Sequence, residues 1–142
     1  MASFNAVLNV NLIGMFDVCR QVSKAMQGGV IITVGSIASF EGNRGQTAYS
    51  ASKGAVAALT LPLARDLAQD NIRVVCICPG IFSTPMGDLV VEETKKKLVQ
   101  SIALRRLGDK KEFAHAVHFV AENNYVNGCL IRLDGGGINP HL

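Results

Sequence analysis

The sequence predicts an α/β fold built on a small parallel sheet. Two runs carry this reading. Val30-Ile31-Ile32-Thr33-Val34 and Ile72-Arg73-Val74-Val75-Cys76-Ile77-Cys78 are almost wholly apolar and rich in β-branched residues. Such runs, without polar alternation, belong to strands buried on both faces. Around them the apolar residues recur every three or four positions, as on helices. Strands alternating with helices form parallel sheets with right-handed crossovers.

Taken in order, Phe4, Val7, Leu8, Leu12, Met15, Phe16, Cys19, Val22 and Met26 mark one helix, closed by Gly28-Gly29. The first strand follows at 30–34. Residues 36–46 carry Gly42 and Gly45 and read as a loop. An Ala-rich helix is expected over 47–70, with a kink or break near 58–61 because Pro62 lies inside it. Asn71 ends that helix and the second strand runs to Pro79-Gly80, where the chain turns. A long loop with Pro85 covers 81–91, and a short charged helix covers 92–101. Asp109 and Glu112 form a capping box for a helix reaching about residue 122. A third short strand is expected at 128–133, before Asp134-Gly135-Gly136-Gly137.

The order is α-β-α-β-α-α-β, with no internal repeat and no linker. Three parallel strands leave two exposed edges, which natural proteins avoid. The expectation is therefore that residues 1–142 form the C-terminal part of a larger doubly wound, Rossmann-like sheet.

Composition narrows the function classes. At 142 residues, 49% hydrophobic and 18% charged, the chain can hide roughly 70% of its unfolded surface, as globular domains of this size do. Disordered and collagen-like classes are excluded. The net charge of +3 is too small and too scattered to point to nucleic acid. No stretch reaches the roughly 18 apolar residues that cross a bilayer. The first residues carry no secretory or transit pattern. The four cysteines, Cys19, Cys76, Cys78 and Cys129, form no C-x-x-C pair. Cys76 and Cys78 share one face of the second strand, read as buried thiols more readily than as a metal site. His115 and His118, at i and i+3, lack a third ligand nearby and read as surface or interface residues.

The residues with chemical potential are few. Tyr49 and Lys53 stand at i and i+4 on a helix, so the ammonium can lie beneath the phenol. A nearby cation favours phenolate, which suits acid–base work. Alone, this spacing is most often a surface pair. Ser36 follows the C-terminal end of the first strand, where open α/β sheets place ligands, and can bond a substrate oxygen. Alone, it is most often a turn serine. Asn11 is polar within an apolar helical stretch, either a surface amide or the holder of a water leading protons from Lys53. Pro79-Gly80 also follows a strand end and would let backbone approach a ligand, with the Thr84 hydroxyl close behind.

Together these motifs resemble the short-chain dehydrogenase/reductase family. The matches are Asn11 in "NVNLIG", Ser36 in "VGSIAS", "YSASK" at 49–53, "PGIFSTP" at 79–85 and "LDGG" at 133–136. The segments "FEGNRGQTAYSASKG", "LTLPLARDLA", "RLGDKKEFAH" and "NGCLIRLDG" are most similar to a mitochondrial branch that acts on 3-hydroxyacyl-CoA and on 17β-hydroxysteroids. The resemblance implies an NAD-dependent oxidoreductase, NADP not excluded, that oxidises a secondary alcohol to a ketone. Tyr49 would be the general acid/base. Lys53 would assist it and bond the nicotinamide ribose. Ser36, with Tyr49, would bind substrate, and Asn11 would hold the relay water. Pro79, Gly80, Ile81 and Phe82 would back the nicotinamide, with Thr84 near its carboxamide. A small-molecule substrate, a homo-oligomer (dimer or tetramer) and a mitochondrial location are implied, with a cytoplasmic one as alternative. No metal, nucleic acid or membrane span is implied.

The pattern also departs from the family. These residues hold no Gly-rich turn after an opening strand, no acidic residue for the adenosine ribose and no N-N-A-G strand. The competing expectation is a catalytically inactive fragment or isoform that acts only through oligomer contacts.

Overall fold

The computed structural model describes residues 4–84 and 92–137. The expected loop over 81–91 is seen only as far as Thr84. Its remainder, with Pro85, lies outside the described residues. Three strands, β1 (Gly29–Val34), β2 (Ile72–Pro79) and β3 (Leu130–Leu133), form one parallel sheet in the order β1-β2-β3. The helices are α1 (Phe4–Leu8), α2 (Met15–Ser23), α3 (Thr47–Asp66), α4 (Glu92–Ser101) and α5 (Lys110–Glu122).

Strand β2 is the centre of the fold. Residues from Val74 to Cys78 are fully buried, because the strand is paired on both edges and covered on both faces. On one face Cys76 and Cys78 pack with Val56 of α3 and with Leu12 and Met15. On the other, Val75 and Ile77 pack with Val120, Phe113 and Val117 of α5. The two layers of helix justify the doubly wound reading.

Several expectations change on contact with the structure. β1 was expected to be buried on both faces, yet Val30, Ile31 and Ile32 are only half-buried. Among the described residues β1 pairs with β2 alone, so its other edge stays open. The first helix does not reach Met26. It is α1 and α2 joined by a π-helical segment, Asn9–Gly14, and it ends at Ser23. The loop at 36–46 contains a 3₁₀ turn, Ile37–Ser39. β3 starts at Leu130, two residues later than expected. The expected break near 58–61 is absent and α3 runs continuously through Pro62. Pro62 and Ala58 are both exposed, so water can take the carbonyl of Ala58 that loses its helical donor. Val56, Ala57, Thr60 and Ala64 on the opposite face hold the helix to the sheet.

Asn71 ends this region with φ of 55°, a left-handed conformation that asparagine tolerates. No described helix is long and apolar enough to cross a membrane. Among the described residues no three His, Cys, Asp or Glu side chains are grouped to hold a metal ion.

The capping box of α5 forms as read. Asp109 accepts from the Lys111 N–H at 2.8 Å, and Glu112 accepts from the Asp109 N–H at 2.8 Å. Arg106 adds a two-pronged ion pair to Glu112, at 2.6 and 2.8 Å. That guanidinium and the Asp109 N–H pull the Glu112 carboxyl down to about 2. A depressed carboxyl stabilises the fold above its unfolded pKa, near 4.3, and loses that contribution as pH falls toward 2. Glu112→Gln should therefore melt below wild type at pH 6, and the gap should close in melts taken between pH 4 and pH 2. A gap of constant size across that range would contradict the assignment.

Candidate active site

The strand ends set this site. β1 and β2 are in register from Gly29↔Ile72 to Val34↔Ile77, and the ladder continues with the Gly35 N–H donating to Ile77 O at 2.8 Å. Ser36 and Pro79 therefore leave the sheet at the same end. Ser36 is buried. Its Oγ accepts from the Ala38 N–H at 3.1 Å, which starts the 3₁₀ turn and holds the hydroxyl at the strand mouth.

Tyr49 and Lys53 sit on the first turns of α3. Lys53 Nζ donates to Val34 O at 2.8 Å and lies 5.9 Å from the centre of the Tyr49 ring. One ammonium thus ties the Tyr-bearing helix to the last residue of β1. Burial lowers the Lys53 pKa, while the sulfurs of Cys76 and Cys78 act in the opposite direction. Tyr49 is 38% exposed, so solvent and small molecules can reach its ring.

Asn11 lies inside the π-helical segment, a rare geometry that often marks functional positions. Its Nδ2 donates to Ser52 Oγ at 3.1 Å, and the Ser52 hydroxyl donates to Tyr49 O at 2.7 Å. Asn11 is thereby linked to the turn of α3 that carries Tyr49 and Lys53. Its amide donor is directed to Ser52 and not to Lys53. Asn11 and Lys53 line a groove of about 580 Å³ along the open edge of β1, with Thr33, Val34 and Met15. Pro79, Gly80, Phe82 and Thr84 line a separate cleft of about 330 Å³ with Lys110 and Phe113.

Two of the expected cofactor-facing residues also have work inside the fold. A Cβ on Gly80 would lie 2.7 Å from Asp134 Cβ, so this glycine admits the backbone after β3. Phe82 packs edge-on against Phe113, ring centres 5.8 Å apart.

A family model described as enoyl-(acyl carrier protein) reductase matches residues 1–137. The chain belongs to the short-chain dehydrogenase/reductase family. It is 48% identical over 145 residues to 3-hydroxyacyl-CoA dehydrogenase type-2 of Rattus norvegicus, covering 95% of this chain and 56% of that protein. A crystal structure of 3-hydroxyacyl-CoA dehydrogenase type-2 from Mycobacterium avium superimposes with a TM-score of 0.90 at 38% identity, over 98% of this chain and 58% of that one. A 7α-hydroxysteroid dehydrogenase complexed with NADH and 7-oxo glycochenodeoxycholic acid gives 0.91 at 33% identity, over 97% of this chain and 56% of that one. The chain thus spans little more than half the length of the relatives it matches. The family read from the motifs and its Rossmann-like fold are both borne out.

Sequence reasoning missed three supports of the site. Glu41, buried in the loop after Ser36, pairs with Arg132 of β3, and Arg132 also holds Asp134 at 2.6 Å. Ser52 joins Asn11 to α3, and Val34 O anchors Lys53. None is signalled by spacing, because the partners are brought together only by the fold.

The turn before Ser36 generates a test. A Cβ on Gly35 would lie 2.8 and 2.9 Å from the sulfurs of Cys78 and Cys76. Gly35→Ala should cost about 1–3 kcal/mol by overpacking. Adding Cys78→Ala should recover part of that loss in a double-mutant cycle of thermal melts. Independent, additive effects would show that the sulfurs do not confine this position.

Proposed function

We propose that this chain carries the proton-transfer half of an NAD-dependent dehydrogenase that oxidises a secondary alcohol to a ketone. The observation that carries the reading is the placement of Lys53, bonded to Val34 O and 5.9 Å from the Tyr49 ring. It supports a phenol whose charge a neighbouring ammonium can balance, beside a buried serine at a strand mouth. In this reading the Tyr49 phenolate takes the proton from the alcohol, and the Ser36 hydroxyl holds the same oxygen as it becomes a carbonyl. Lys53 places a cation beside the Tyr49 ring, and Asn11 keeps the helices in place around the route by which the proton leaves. Nicotinamide, when bound, accepts the hydride.

The residues present fit the nicotinamide end of such a cofactor. Lys53 uses one N–H on Val34 O and has two others for ribose hydroxyls. Pro79, Gly80, Ile81, Phe82 and Thr84 follow β2 at the mouth of the sheet. No Gly-rich turn opening a helix, the usual cradle of a pyrophosphate, occurs in this sequence. The 142 residues alone should therefore bind NAD weakly. By likeness to the relatives above, the substrate is a 3-hydroxyacyl-CoA or a hydroxysteroid; the motif resemblance adds a mitochondrial location, with a cytoplasmic one as alternative.

Two experiments test this reading. In any active chain or assembly that carries these residues, Tyr49→Phe should keep fold and cofactor affinity but lose about 10²–10⁴ in turnover, the usual contribution of a positioned acid–base group. Lys53→Met should lower turnover and weaken cofactor binding, because the ammonium that bonds Val34 O and has N–H groups left for ribose is lost. A Tyr49→Phe enzyme retaining more than a tenth of wild-type turnover would overturn the assignment.

Assembly is the second test. The exposed Val10, Ile13, Val18 and Val22, with Ala51, Ala58 and Leu61 of α3, offer small and apolar contacts suited to a second copy of the chain. Light scattering at micromolar concentration should report a dimer or tetramer, and a clean monomer would count against this arrangement.

A further inference from the structure

Cys76 and Cys78 take no part in the chemistry above, yet they lie directly behind it. Both are fully buried on β2, with sulfurs 3.7 Å apart on the face covered by α3. Gly35, the residue before Ser36, supplies the room they occupy, since a Cβ there would clash with both sulfurs. Thr33, the ladder partner of Cys76, buries its hydroxyl close enough to the Cys76 sulfur to act on it. The ammonium of Lys53 is near enough to feel both sulfurs. Two thiols, a buried hydroxyl, a cation and a residue with no side chain thus meet under the strand mouth. Cys19 and Cys129, the other free thiols, have no such surroundings in common.

We propose that Cys76 and Cys78 are a redox-modifiable pair, oxidised by a small hydroperoxide to a reversible disulfide within β2. The sulfur–sulfur contact at 3.7 Å favours a thiolate at Cys76, while the same contact and burial hold Cys78 protonated. Cys76 is therefore the attacking sulfur. It takes one oxygen of the peroxide, the O–O bond breaks, and the other oxygen leaves as water with the proton Cys76 had released. Cys78 then attacks the resulting sulfenic sulfur. The S–O bond breaks, and hydroxide leaves as a second water with the proton of Cys78. Two thiols and one hydrogen peroxide give one disulfide and two waters.

Two residues apart on an extended strand, the Cα atoms stand about 6.6 Å from each other, near the upper end of the range a disulfide spans. Bridging must draw in the end of β2, just before Pro79-Gly80 and against Gly35-Ser36. A bond formed this way is readily reduced. The groove along the open side of β1 reaches Thr33, the ladder partner of Cys76, and the two buried sulfurs lie behind it, outside the groove's lining. Any effect on turnover rests on the dehydrogenase reading, but the disulfide itself does not.

The test exposes the folded protein to hydrogen peroxide, alkylates remaining thiols in denaturant and maps the peptides by mass spectrometry. The peptide holding Cys76 and Cys78 should lose two hydrogens and escape alkylation until dithiothreitol is added, while Cys129 stays alkylatable. In Cys78→Ser, or in Cys78→Ala if the serine variant fails to fold by circular dichroism, Cys76 should persist as a sulfenic acid that dimedone labels. Alkylation of both Cys76 and Cys78 after peroxide would overturn the proposal. So would cross-linking through Cys19 or Cys129 in their place, or a Cys78 variant that dimedone does not label.

Discussion

The hydrogen-bond ladder between β1 and β2 decides where the chemistry of this chain can sit. Because Val34 pairs with Ile77 and Gly35 donates to Ile77 O, the two strands end side by side. Ser36 and Pro79 then face the same mouth. α3 returns across β2, buried through Val56, Thr60 and Ala64, and its first turns arrive over the end of β1. Lys53 closes the arrangement by bonding Val34 O. A slip of β1 by one residue would turn Thr33 away from Cys76 and carry Val34 O out of reach of Lys53. The site is thus a consequence of strand register before it is a set of side chains.

Charge is managed at the same end of the sheet by contacts distant in sequence. Arg132 reaches from β3 to Glu41 and Asp134, binding the loop after Ser36 to the turn after β3. Arg132 also donates to Gly137 O at 2.6 Å. A buried carboxylate such as Glu41 is tolerable only with a partner of this kind. The brace keeps the loop after Ser36 against the sheet, so the serine hydroxyl is presented by a fixed turn. At the same end of the sheet, the Arg106–Glu112 pair and the capping box secure the start of α5, which packs on the other face of β2.

Much of this was legible in the sequence, for physical reasons that can be named. The β-branched run of β2 announced a strand buried on both faces, where no room is left for polar alternation, and the similar run of β1 announced a strand but not its half-buried, open-edged setting. Asp109 and Glu112 announced α5 because a capping box is a local device. Tyr49 and Lys53 share a helix face by spacing alone. What stayed hidden depends on contacts across the chain. The Arg132–Glu41 pair joins residues 91 positions apart. The π-helical segment around Asn11 has no periodic signature of its own over six residues. Pro62 suggested a break because its tolerance depends on which face of α3 meets water. Gly80 suggested close approach to a ligand, and the neighbour it admits is Asp134. Membership of the short-chain dehydrogenase/reductase family was legible because its motifs are short and local.

The central claim is that these residues hold the nicotinamide-facing, proton-transferring end of a dinucleotide site and not its adenosine end. It can be tested most directly by NMR on the 142-residue chain, titrated separately with nicotinamide mononucleotide and with adenosine monophosphate. The account predicts amide shifts at Ser36, Lys53 and residues 80–84 with nicotinamide mononucleotide, and none there with adenosine monophosphate. Shifts at these residues with adenosine monophosphate alone would contradict it.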